Sequence, residues 1–120
     1  MVAVLPTQES IAALEAASTA YVEEIERILC SQVGGLEWWE DTTRAHMVSS
    51  CATSQVFEAV ARRNKCSIAF AAVGGAYAIG GVVAQIRGDD APTRLMGLVE
   101  HGIAQGEREM REALAPKGKC

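Results

Sequence analysis

The chain has 120 residues, the size of one domain rather than two, and a net charge of −4. Apolar residues make up 49% and aromatics only 5%, so a core has to be built from Ala, Val, Leu, Ile and Met, which suits closely packed helices better than packed strands. Seven Glu against one Arg between Met1 and Glu40 argue against a nucleic-acid surface there, and the tight basic cluster of Arg62, Arg63 and Lys65 reads as a solvated helix end.

The first helix is expected from about Thr7 to Gln32. Thr7 is placed as its N-cap, with Glu9 in the first turn. Ile11, Leu14, Ser18, Tyr21, Ile25 and Ile28 recur at spacings of three and four, and Glu15, Glu23, Glu24, Glu26 and Arg27 lie off that stripe. The seam is close to a heptad, so a parallel or antiparallel partner helix is expected. Gly34 and Gly35 end the helix. Trp38 and Trp39 follow in a short connection and read either as a plug over the bundle end or as a contact anchor, since exposed Trp is enriched at interfaces.

A second helix is expected from an Asp41 N-cap to about Asn64, with Met47, Cys51, Val56, Phe57 and Val60 on its apolar face. Thr42, Thr43, Ser49, Ser50, Thr53 and Ser54 compete for backbone hydrogen bonds, so its first half is expected to be distorted or frayed.

From Ile68 to Ile86 there are nineteen residues without a charge, six of them Ala and four Gly. The favoured reading is a central helix, apolar nearly all round and buried by its neighbours. Gly74, Ala78 and Gly81 make a smooth stripe where two backbones approach, so they are the expected self-association residues. A hairpin turning at Gly74-Gly75 or Gly80-Gly81 is an alternative. A membrane span is the other, because the length suffices and Lys65 and Arg87 flank the run. The Ala and Gly content, Gln85 inside the run and the amphipathic helices on both sides weigh against a span.

A last helix is expected to start at Asp90 or Ala91, with Pro92 in its first turn and Leu95, Val99, Ile103, Gly106, Met110 and Leu114 on its buried stripe. Glu107 and Arg111 form a favourable i, i+4 pair. Pro116 ends the helix, and 116–120 is expected to be a loose tail.

Cys30, Cys51, Cys66 and Cys120 show no zinc-like spacing, so no metal site is expected. The N-terminus has no basic region followed by an apolar run, which predicts the cytoplasm, free thiols that are mostly buried, and an exposed Cys120. His46 and Ser50, four apart, with Cys51 beside them, form the one arrangement that suggests a base and a nucleophile, but no orienting acid lies near in sequence. His101 falls on the charged face of the last helix. The glycine pairs lack a following Lys-Ser or Lys-Thr, so they are not phosphate cradles, and no cofactor is expected.

These readings converge on an all-α, compact, four-helix bundle-like single domain over 1–120, built around a buried Gly/Ala-rich helix. The expected function is non-enzymatic: self-association to a dimer or larger, and binding of a protein partner through Trp38, Trp39, Glu23 and Glu26, in the manner of a small accessory inhibitor or regulator. A small-molecule binder or enzyme at His46, Ser50 and Cys51 is one alternative. A single-span membrane protein through Ile68–Ile86 is the other.

Overall fold

The structure is a computed structural model. It describes residues 7–32, 35, 39–86 and 91–116. Trp38, Gly34, Arg87, Asp89, Asp90 and the tail with Cys120 lie outside the described residues, and so do the expectations placed on them.

The fold is all-α, with four helices and no strand among the described residues, consistent with a four-helix bundle-like fold. The helices are α1 (Gln8–Gln32), α2 (Asp41–Asn64), α3 (Ile68–Gln85) and α4 (Ala91–Leu114). By internal contacts the chain falls into two units, Met1–Ala71 and Ala72–Cys120.

In the first unit, α1 starts as expected at Thr7. Its Oγ1 accepts from the Ser10 amide at 3.1 Å, and its carbonyl accepts from the Ile11 amide at 2.9 Å. Beyond α1, Gly35 takes φ of 89°, a left-handed conformation that a side chain would oppose. The start of α2 differs from expectation by one residue. Glu40 is the N-cap, without a side-chain cap bond, and Asp41 is the first helical residue. Asp41 turns its carboxylate to Arg44 Nη2 at 2.5 Å instead of capping.

The hydroxyl-rich half of α2 is continuous helix rather than distorted. Ser50 Oγ donates to the Met47 carbonyl at 3.1 Å, and Ser54 Oγ to the Ser50 carbonyl at 2.8 Å. The hydroxyls therefore add to the helix ladder instead of replacing it. Lys65 closes α2 in the left-handed region, with φ of 53°. Ser67 then opens α3: its Oγ accepts from the Ala69 amide at 3.2 Å.

The partner that the α1 stripe calls for is α2. Tyr21 meets the later residues Val56, Ala59 and Val60, whereas Val22 and Glu26 meet the earlier residues Arg44 and Val48. The pair therefore runs antiparallel. Val48 at 6% exposure and Ala61 at 8%, both on α2, are the fully buried apolar residues among those described. The stripe is covered only in its second half: Tyr21, Ile25 and Leu29 are half-buried, while Ile11 and Leu14 are exposed.

α3, which begins in the first unit and continues through the second, is one unbroken helix, so the hairpin alternative falls away. The expected burial of this helix is overturned, because none of its residues is buried. Phe70 is 72% exposed and Tyr77 is 82% exposed. The periodicity of the flanking helices showed that they have apolar faces but not that those faces close over α3. The buried stripe expected on α4 is also corrected. Leu95 and Val99 are half-buried, but Ile103, Met110 and Leu114 stand exposed, Leu114 at 76%. No packed α3–α4 pair comparable to α1–α2 covers them.

Candidate functional site

A shallow groove runs between α1 and α2, lined by Val22 and Glu26 on one side and Asp41, Arg44, Val48 and Ala52 on the other. Its polar end is organised by Arg44. The guanidinium bonds Asp41 and reaches the Trp39 carbonyl from Nη1 at 3.5 Å. Asp41 in the first turn also complements the positive end of the α2 dipole. Arg44 was not singled out from the sequence, although its i, i+3 spacing from Asp41 is the available signal.

Two of the acidic residues expected to contact a partner differ in setting. Glu26 is half-buried in this groove, and Glu23 is exposed outside it. Trp39 is half-buried at the entry to α2, and Trp38 lies outside the described residues. On the exposed face of α1, Arg27 holds Glu24 through two hydrogen bonds, one from Nε at 3.1 Å and one from Nη2. This bonding lowers the Glu24 carboxyl from its ordinary value of 4.5 and raises the Arg27 guanidinium.

His46 and Ser50 are exposed on α2, and Cys51 is half-buried beside them. The Ser50 proton is committed to the Met47 carbonyl, so it is not offered to His46. The groove takes the other side of α2, through Val48, Ser49 and Ala52. His46 and Ser50 share a face of α2, Cys51 points to a different one, and none of the three lines this groove. Among the described residues, no group of three His, Cys, Asp or Glu side chains is placed to hold a metal ion.

The thiols are less buried than expected: Cys30 and Cys51 are half-buried and Cys66 is exposed, and no disulfide joins these three. Gly74, Ala78 and Gly81 are exposed on α3. A Cβ built on Gly74 or Gly81 meets nothing within 4 Å, so the close backbone approach anticipated there is not made within the chain.

The dominant surface property is apolar. Phe70, Val73, Tyr77 and Val82 stand out along α3, and Leu98, Ile103 and Leu114 along α4. A monomeric soluble protein rarely exposes a contiguous apolar patch beyond a few hundred Å². No family model matches this sequence, and no curated protein and no solved structure shows significant similarity to it.

Proposed function

We propose that this chain is a non-enzymatic helical interaction protein that works by assembly, with its apolar helix faces completed by a surface from outside the chain. The observation that supports this reading is the contrast between two fully buried apolar residues, Val48 and Ala61, and the long apolar runs left exposed on α3 and α4. Covering one large aliphatic or aromatic side chain contributes about 1.5–3 kcal/mol. Such side chains repeated along two helices supply a strong drive to associate.

His46, Ser50 and Cys51 lie outside the α1–α2 groove, and the Ser50 hydroxyl is bonded to the Met47 carbonyl, which supports assembly over catalysis as the reading. In this reading the acidic face of α1, with Glu23 exposed, is offered to a basic protein surface.

Light scattering on the full chain in detergent-free buffer tests the proposal. The expected result is a mass above the 12.7 kDa of one chain, or failure to remain dispersed without lipid or detergent. A stable monomer over a wide concentration range overturns it.

A further inference from the structure

We propose that the surface completing α3 is a lipid bilayer, which the helix crosses with its N-terminal end at the leaflet rich in anionic headgroups. This inference rests on the assembly reading above and names the covering surface.

Four observations carry it. The first is length. Eighteen helical residues span about 27 Å at a rise of about 1.5 Å each, close to a hydrocarbon core about 30 Å thick. The helix is long and apolar enough to cross a membrane.

The second is the distribution of exposure. Phe70, Val73 and Tyr77 share one helix face, Val82 and Ile68, also exposed, lie more than 100° around the helix from it, and no residue of α3 is buried. A second protein copy covers one face of a helix, whereas lipid surrounds it. The core helix of a soluble protein has the same composition but is enclosed by its own chain, and α3 is not.

The third is backbone satisfaction. The helix is unbroken, so its amides and carbonyls are bonded internally, as hydrocarbon requires. Its first turn is closed by Ser67.

The fourth is charge. Arg62, Arg63 and Lys65 precede α3 by three to six positions, and all three are exposed. Beyond the other end, within ten residues, stand two cations, Arg87 and Arg94, with Asp89 and Asp90 between them, so the N-terminal end carries three against two. Cations gathered at one end of a span favour the anionic, cytoplasmic leaflet, and each contributes to headgroup attraction. This orientation keeps α1 and α2 on the cytoplasmic side that composition led us to expect. Gln85, which weighed against a span in sequence, is the last residue of α3 and lies at interfacial depth.

The test is reconstitution of the full chain with vesicles of phosphatidylcholine mixed with phosphatidylglycerol, followed by flotation and an alkaline carbonate wash. The expected result is co-flotation that survives the wash. Tyr77→Arg is expected to cut the wash-resistant fraction at least about tenfold, because it centres a charge in the span. In a soluble protein the same change, at an exposed side chain, is tolerated.

Orientation is read with variants that keep only Cys66 or only Cys120, which lie on opposite sides of α3 in sequence, using a membrane-impermeant maleimide on sealed vesicles. Opposite accessibility of the two thiols is expected. Arg62→Gln, Arg63→Gln and Lys65→Gln together are expected to scramble that asymmetry without abolishing insertion.

A chain recovered from the soluble phase as an oligomer overturns the span and leaves assembly standing. A soluble monomer overturns both. Release by carbonate, or thiols accessible from the same side, also overturns the span.

Discussion

The amide of Lys65 donates to the carbonyl of Arg62 at 3.4 Å while Lys65 itself holds φ of 53°. The next amide, of Cys66, donates to the Ala61 carbonyl at 3.1 Å. This pair of bonds is a Schellman closure, with a lysine where glycine is usually found. A left-handed conformation costs a non-glycine residue roughly 1–2 kcal/mol. Lys65→Gly is therefore expected to stabilise the first unit by about 0.5–1 kcal/mol, part of the relief being offset by the freer unfolded chain. Urea unfolding followed by circular dichroism measures it. Lys65→Val should move the midpoint the other way, since a β-branched side chain fits this region worst.

The caps give a second prediction. Thr7 Oγ1 accepts the Ser10 amide, and Ser67 Oγ accepts the Ala69 amide. Thr7→Ala is expected to cost about 1 kcal/mol of α1 stability, and Thr7→Ser close to nothing. Helicity against temperature separates the two variants. Equal melting of both would show that the Thr7 hydroxyl does not cap.

Packing gives the third. Val48 is buried and lines the α1–α2 groove, so Val48→Ala removes two methyl groups from a covered site, at about 1–2 kcal/mol. Ala61→Leu forces a larger side chain into a filled space and is expected to destabilise by about 1–3 kcal/mol. Leu14→Ala, on the exposed half of the α1 stripe, should change the unfolding midpoint of the isolated chain little. A loss at Leu14 equal to that at Val48 would mean that the covered part of the seam is longer than Tyr21 to Leu29.

Ionisation gives the fourth. The carboxyl of Glu24 is lowered by its hydrogen bonds from Arg27 and by the attraction of that cation, against a smaller opposing effect of desolvation. A folded-state value below the unfolded one means that the pair contributes stability at pH above the ordinary value of 4.5. That contribution is lost as pH falls through the lowered value. Both side chains face solvent, so the contribution is small and salt-sensitive. Carboxyl titration by NMR should place Glu24 below its ordinary value, and Arg27→Gln should return it there. A Glu24 titration unchanged by Arg27→Gln would remove the assignment.

Local chemistry was legible in the sequence and enclosure was not. Thr7, the Ile68 start of α3 and the Glu107–Arg111 pair, at 3.1 Å in the structure, were all readable because each depends on residues within one or two turns. The Asp41 cap was misplaced by one residue because Glu40 precedes it and Arg44 competes for its carboxylate. Ser50 and Ser54 were read as helix disruptors, yet their hydroxyls bond backwards within the helix. Burial was overestimated at Leu14, Tyr77 and Ile103 for a single reason. Periodicity shows which face of a helix is apolar, but whether something covers that face depends on tertiary contacts that no spacing encodes. Among the candidate site residues, Glu26 and Trp39 came close to the α1–α2 groove, whereas Arg44, which organises its polar end, carried only an i, i+3 signal.

The antiparallel α1–α2 pair is joined by only eight residues, 33–40, and it lies wholly ahead of α3 in the chain. Contacts so near in sequence close quickly, and domains tend to fold as their N-terminal parts emerge during synthesis. Val48 and Ala61 thus belong to a hairpin whose closure asks nothing of the apolar helix that follows it. Order along the chain thus separates the part of this protein that packs on itself from the part that looks outward.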